Sequence, residues 1–153
     1  MPARRLSLTA VVLALALPFA PPVLASKQAS ADNLGRQYYV LNCAGCHQFD
    51  GTGSKSHEIP NMRGVVGYFL HVPEGRAFLV RVPGTSNSRL TDAEIATMLN
   101  WLVHEFSPKQ IPPDFKPYTT EEVTRLRHAP LDDVAATRAA IVKKLATMGY
   151  RIE

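Results

Sequence analysis

The chain has 153 residues, 46% of them hydrophobic and 20% charged, which is enough for one globular domain with a buried core. Its formal net charge is +4, and the first 25 residues hold two arginines and no acidic residue, so the remainder has 15 basic and 13 acidic residues. A net charge of +2 without a basic cluster argues against a nucleic-acid-binding protein.

The first 25 residues predict a secretory signal peptide. Two arginines precede an apolar run of about a dozen residues, and the segment ends in a small-x-Ala cleavage site at Ala25. A membrane anchor is the alternative, but the run is shorter than the roughly 20 apolar residues that span a bilayer. Cleavage after Ala31 is a second choice. Export predicts a periplasmic protein, with its cysteines in an oxidising compartment.

A helix is predicted next, because Asp32 or Asn33 can cap it and because Gly35 and Tyr39 lie four residues apart on one face. Glycine inside a helix costs roughly 1 kcal/mol relative to alanine. Its presence indicates the close approach of another helix, unless Gly35 merely begins this one.

Both cysteines follow in the stretch Cys43-Ala44-Gly45-Cys46-His47. A disulfide between them would close a very small loop and would restrain the unfolded chain little. Zinc would need a fourth ligand beside the two thiols and His47. Covalent haem fits the pattern better, because two thiols add to the two vinyl groups and the adjacent histidine ligates iron.

Four further elements follow the motif. A turn at residues 50–53 and a loop at residues 59–64 lead to a short helix around residues 77–80, which is bounded by proline and glycine on both sides. The clearest helix begins with a capping box formed by Thr91 and Glu94 and ends before Pro108. Its core-facing residues are Ile95, Met98, Leu99 and Leu102, with Trp101 beside them.

Residues 107–118 contain four prolines and predict an extended linker to a C-terminal helical extension, residues 119–153. A second capping box at Thr119 and Glu122 opens a helix that runs to about Arg127. Asp132 or Asp133 begins the last helix, and Gly149 ends it. Its apolar stripe is Val134, Ile141, Leu145 and Met148, with Arg138 interrupting the spacing. The extension is expected to fold back on the main domain, or else to form a docking arm.

Residues 32–106 resemble a class I c-type cytochrome domain. Such domains have a glycine eight residues and an aromatic residue four residues before the first motif cysteine, as Gly35 and Tyr39 are here. They have a proline after the motif, matched by Pro60, and a leucine-x-glycine similar to Met62-Arg63-Gly64. Their last helix is similar to residues 90–102.

The resemblance implies an all-α fold around one covalently attached haem c. It implies that Cys43 and Cys46 hold the haem and that His47 ligates its iron, oriented by the carbonyl of Pro60. The first and last helices are expected to cross with Gly35 and Tyr39 against Leu99 and Trp101. Arg63, Arg76 and Arg81 are candidate partners of the haem propionates.

The second axial ligand departs from the family pattern. Most members supply a methionine from the loop before the last helix, and here that loop, residues 82–89, contains none. His71 is the best-placed substitute, and an iron with an open or water-filled sixth position is the other expectation. The remaining side chains are expected to serve in packing or on the surface: Met62, Met98, Met148, His57, His104 and His128.

The sequence therefore predicts a periplasmic electron carrier that is not an enzyme. Its expected partners are redox proteins such as a dehydrogenase or a terminal oxidase, without nucleic acid and without stable membrane insertion. The alternative is a haem-based binder or sensor of small ligands, which the missing methionine favours. A small subunit fixed to a larger dehydrogenase is a third possibility.

Overall fold

The computed structural model describes residues 23–129 and 131–152, and for residues 23–29 it describes the backbone alone. The predicted signal peptide lies mostly outside these ranges and stays a prediction. None of the helices described is long and apolar enough to cross a membrane. The helices are α1 (Val23–Asn42), α2 (Ala44–His47), α3 (Pro73–Arg81), α4 (Pro83–Ser86), α5 (Asp92–Phe106), α6 (Thr120–Arg127) and α7 (Val134–Thr147), with 3₁₀ turns at Lys55–His57, Val66–His71 and Pro108–Gln110.

The regular elements of the described ranges are all helical, apart from one isolated β-bridge between Ser54 and Ile59. The predicted all-α class is confirmed. Helix α1 begins at Val23, earlier than expected, so Asp32 and Asn33 lie inside it and do not cap it. Residues 23–31 include three alanines, a leucine, a lysine and a glutamine, which favour helix and extend it upstream.

Helices α1 and α5 cross at Gly35. The sequence predicted this close approach, because a glycine lies inside the helix. A Cβ added to Gly35 would lie 2.3 Å from the Cβ of Trp101, so only glycine allows this approach. Four residues later, Tyr39 packs its ring 5.4 Å from that of Trp101 and 5.0 Å from that of Phe106. The expected contact with Trp101 is confirmed. Phe106 joins this packing, and Leu99 belongs to the same core cluster and also lines the cavity described below.

Helix α5 forms the centre of the core. The predicted capping box is present, with the Thr91 hydroxyl accepting from the Glu94 backbone and the Glu94 carboxylate accepting from the Thr91 backbone. The helix ends before Pro108, as predicted. Its buried residues are Ile95, Ala96, Met98, Leu99, Leu102, Val103 and Phe106.

The C-terminal extension folds back on the rest of the chain, as expected. Helix α7 packs against α3 and the 3₁₀ turn Val66–His71, and it buries Ile141 and Leu145 against Phe69 and Phe78. Asp133 caps this helix through the Ala136 backbone. Met148 does not continue the apolar stripe as predicted, because the helix ends at Thr147 and leaves its side chain 48% exposed. The division into domains stays a prediction.

Arg76 ties α3 to the segment that leads into α6. Its Nε and Nη2 both donate to the Glu122 carboxylate at 2.6 Å, and its Nη1 donates to the Lys116 carbonyl. The guanidinium lies 4.0 Å from the Tyr118 ring centroid. Because Glu122 is bound to Arg76, only half of the predicted second capping box forms, from the Glu122 backbone to Thr119.

Replacing Arg76 with methionine is expected to lower the free energy of unfolding by about 3 kcal/mol. The pair is only 19% and 18% exposed, so the variant leaves a mostly buried carboxylate without its partner. Lys144→Met is the control, because its pair with Glu74 is about half exposed and is expected to contribute much less to stability. Urea unfolding followed by circular dichroism measures both, and equal losses would contradict the buried role of Arg76.

Candidate functional site

A mostly apolar cavity of about 400 Å³ lies at the centre of the helices. Its size is in the range of cofactor and small-ligand sites. The segment around the cysteines, the loop after it, α3, α4, α5 and α7 all contribute to its wall. The lining residues are Asn42, Cys43, Cys46, His47, Ile59, Pro60, Asn61, Met62, Val65, Val66, Phe69, Phe78, Leu79, Val82, Gly84, Thr85, Met98, Leu99, Leu102, Val134 and Arg138.

Both cysteines lie on the cavity wall and both are free thiols. Cys43 stands at the junction of α1 and α2, where its backbone N–H donates to the Tyr39 carbonyl at 2.8 Å and its own carbonyl accepts from His47 at 2.9 Å. Burial, with a smaller effect from Cys46, raises the pKa of the Cys43 thiol to about 11. Cys43 is therefore protonated at neutral pH, and it is half-covered while Cys46 is exposed.

The geometry does not favour the two alternatives to haem. The cysteines form no disulfide. The part of the chain described contains no group of three or more histidine, cysteine and acidic side chains that could hold a metal ion, whereas structural zinc needs four ligands.

His47 lies on the cavity wall with an unsatisfied ring nitrogen. Among the described side chains, its Nδ1 is the buried polar atom without a hydrogen-bond partner. Burial lowers the pKa of His47, and the nearby Pro60 carbonyl raises it by a smaller amount, although this carbonyl does not approach Nδ1 with full hydrogen-bond geometry. A neutral imidazole is the form that ligates iron, so His47 is suited to the predicted role.

Glycine at position 53 brings the Pro60 carbonyl towards the motif. Gly53 has a φ of +70° and its backbone N–H donates to the His47 carbonyl at 3.0 Å. A Cβ here would lie 2.5 Å from the Pro60 carbonyl oxygen. The loop that carries Pro60 therefore packs against the residues that follow His47, which is where the resemblance predicts it.

His71 lies away from the cavity, which corrects the prediction that it is the sixth ligand. Its Nε2 is 2.9 Å from the Gln110 carbonyl oxygen, and its Nδ1 is 2.9 Å from the Tyr150 hydroxyl. Both ring nitrogens are thus engaged with the C-terminal part of the chain. The reason is the return of that segment over the turn Val66–His71, which the local sequence does not reveal.

The three arginines proposed as propionate partners also have other partners and do not line the cavity. Arg63 donates to the Asp50 carbonyl at 3.2 Å, Arg76 binds Glu122, and Arg81 donates to the Ala129 carbonyl at 2.6 Å. The arginine that does line the cavity is Arg138 of α7. In the sequence, Arg138 stands out only as a break in the apolar stripe of that helix.

The segment that usually supplies a methionine reaches the cavity without one. It forms the short helix α4, and Val82, Gly84 and Thr85 line the cavity there. The two methionines on the wall lie elsewhere. Met62 follows Pro60 in the loop beside His47, and the Met98 sulfur is 3.6 Å from the Cys43 sulfur, at the edge where the ring would be anchored.

Comparison with known proteins agrees with this site. The cytochrome c family model matches residues 33–81. A cytochrome c-552 of Thermus thermophilus is 33% identical over 111 residues, which cover 61% of this chain and 83% of that protein. The chain belongs to the cytochrome c family. A second cytochrome c-552 from Thermus thermophilus is also 33% identical over 111 residues and is covered to 74%.

The cofactor of this cytochrome is haem c with iron, attached through the motif cysteines. The residues present fit that group. The cavity is mostly apolar, both thiols and the imidazole of His47 lie on its wall, and the Pro60 carbonyl lies near the imidazole. Cys43 and Cys46 would hold the ring, and His47 would ligate the iron from the same helical turn.

Proposed function

We propose that this haem electron-transfer protein of the cytochrome c family works in the periplasm as a single-haem carrier. It accepts one electron from a dehydrogenase and passes it to a terminal oxidase or another redox protein. The observation that carries this proposal is the placement of Cys43, Cys46 and His47 on the wall of one apolar cavity. The periplasmic location rests on the leader predicted from residues 1–25.

A bound haem supplies a one-electron couple between ferrous and ferric iron. The chain contributes the attachment, one axial nitrogen and an apolar wall that excludes water. The described part of that wall has no carboxylate and no histidine other than His47. A peroxidase would need a base beside the open face of the iron. Electron transfer is therefore the activity that we propose for this site.

We propose that partner proteins bind the surface around the motif, residues 43–47. Cys46 is exposed, and Leu41 and Phe49 beside it in the chain are 80% and 73% exposed. We propose that these two apolar side chains contact the partner. The low net charge predicts weak electrostatic steering, so association with a partner should depend little on salt.

A ligand-binding function is the second candidate, and one observation favours it. The α4 segment reaches the cavity with Val82, Gly84 and Thr85, none of which is a usual iron ligand. An open sixth position would admit small molecules such as CO.

Rapid mixing of the reduced holoprotein with an oxidised small cytochrome tests the proposed function. A carrier is expected to exchange electrons completely within seconds and to do so again after re-reduction. A haem protein that binds CO tightly but exchanges no electrons would contradict the proposal and support the ligand binder.

His71→Ala is expected to leave the visible spectra of the oxidised, reduced and CO-treated protein unchanged, because both nitrogens of His71 bind other groups. His47→Ala is the comparison and is expected to change all three spectra, since it removes the axial nitrogen. If the spectra of His71→Ala changed as those of His47→Ala are expected to change, His71 would again be the candidate for the sixth ligand.

A further inference from the structure

The wall of the cavity has one charged side chain among its described residues, and it comes from the extension. Arg138 lies one helical turn after Val134 on α7, and both residues line the cavity. The described wall includes no aspartate or glutamate. The cavity therefore presents one partly covered positive charge in mostly apolar surroundings and no protein anion to pair with it, which suits an anionic group on a bound ligand.

The position of Arg138 is fixed by the packing of its helix. Ile141 and Leu145 are 2% and 0% exposed, against the 3₁₀ turn Val66–His71 and α3. The Asp133 carboxylate caps the first turn by accepting from the Ala136 backbone at 2.8 Å. This packing holds the backbone of Arg138 on the side of α7 that meets the cavity.

Arg138 also differs from the other arginines packed around the core. Arg127, for example, donates to the Ser86, Ser88 and Leu90 carbonyls and to Asp92. Within the described ranges, Arg138 makes no hydrogen bond or ion pair. A guanidinium presents a planar fork of donors that matches a carboxylate.

Haem carries two carboxylates, on the pyrrole rings opposite those that bear the vinyl groups. Attachment at Cys43 and Cys46 directs these carboxylates away from the motif. The motif helix α2 packs with α1, and Cys43 contacts Met98 of α5, whereas α7 packs with α3 and the turn Val66–His71. We propose that Arg138 binds a haem propionate, so that the C-terminal extension is part of the haem site and raises its reduction potential.

The sign of the effect follows from charge. Reduction of the iron adds one negative charge, so a nearby cation favours the ferrous form. Arg138→Gln should shift the equilibrium about tenfold toward the ferric form, which is about 59 mV for a one-electron couple. Arg138→Lys keeps the charge and should retain most of the potential.

Spectroelectrochemical titration of the holoprotein is the test, with Lys143→Gln as the control. Lys143 is an exposed cation on the same helix and does not line the cavity, so the two variants lose the same charge. The titration is repeated between about pH 4 and pH 8, where a propionate released from its cation would begin to titrate. Arg138→Gln is expected to lower the potential and to make it depend on pH, and Lys143→Gln is expected to do neither.

Two outcomes overturn the inference. In the first, Arg138→Gln and Lys143→Gln shift the potential equally, which reduces Arg138 to a surface charge. In the second, Arg138→Gln leaves the potential unchanged but weakens binding of cyanide to the ferric protein at least about tenfold, which would place the guanidinium at the iron and not at the propionates. If Arg138→Gln does not fold, the reduction potentials of Arg138→Lys and Arg138→Met are compared instead. A potential that is unchanged in Arg138→Lys and lowered in Arg138→Met supports the proposal. Equal potentials in these two variants overturn it.

Discussion

The double variant Cys43→Ser, Cys46→Ser is expected to release all of its haem into acidified organic solvent, whereas the natural protein keeps its haem in the polypeptide. Both thiols lie on the cavity wall and are free to form thioether bonds. Serine has no thiol to add to a vinyl group. The single variants Cys43→Ser and Cys46→Ser each keep one cysteine and are matched controls. Each is expected to retain its haem through the one remaining thioether bond. The readout is haem absorbance in the extracted protein after gel electrophoresis.

Loss of the haem should also cost most of the fold. Without haem, the mostly apolar wall of a cavity of about 400 Å³ is left open to water, so the core loses the burial that the ring provides. The total stability of a domain is about 5–15 kcal/mol, so the protein without haem has little stability left. We expect the double variant to lose most of its helical circular dichroism when no haem is bound. Full retention of haem after extraction of this variant would contradict the covalent site.

Gly35→Ala is expected to lower the free energy of unfolding by about 3 kcal/mol, at the upper end of the cost of overpacking a core. The added methyl would lie 2.3 Å from the Trp101 Cβ and 3.1 Å from the Thr97 carbonyl oxygen, and both belong to α5 and not to a flexible side-chain end. The helices must separate, which loosens the packing of Tyr39 against Trp101 and Phe106.

Thermal unfolding of the holoprotein measures this effect, with an expected decrease in Tm of about 10 °C. Gly45→Ala is the matched control. Gly45 is exposed in α2, and a Cβ there would meet nothing within 4 Å. Its replacement should leave Tm unchanged or raise it slightly, because alanine favours helix. If the two variants unfold at the same temperature, the close crossing of α1 and α5 is not what stabilises the fold.

Local signals in the sequence predicted the parts of the fold that depend on neighbouring residues. The capping box at Thr91 identified the start of α5, and the four-residue spacing of Gly35 and Tyr39 identified the face of α1 that meets it. The short helix α3 was recognised from the proline and glycine at its ends. Each of these features is encoded within about one or two helical turns.

The errors concern contacts between residues far apart in the chain. His71 was predicted to reach the iron, but it is bound by Gln110 and Tyr150, which are 39 and 79 residues away in sequence. Arg138 was interpreted as an imperfection in an apolar stripe, although it reaches the cavity from the extension. The apolar periodicity of α7 does not show which element the helix packs against, because this depends on the course of the chain before α7.

The extension changes how this cytochrome is expected to be tuned. Helix α7 closes one side of the cavity and contributes Val134 and Arg138 to it. The α4 segment contributes no methionine, and methionine ligation is one of the main ways in which c-type cytochromes raise their potential. A cation supplied by the extension would act in the same direction and offset part of that loss.

A redox titration of the protein after extraction of loosely bound haem tests the central claim most directly. We expect haem absorbance that stays with the 16.8 kDa polypeptide, or its processed form, and that titrates reversibly with one electron. A polypeptide that keeps no haem after extraction, or a haem that cannot be cycled between its oxidised and reduced forms, would contradict an electron carrier built on Cys43, Cys46 and His47.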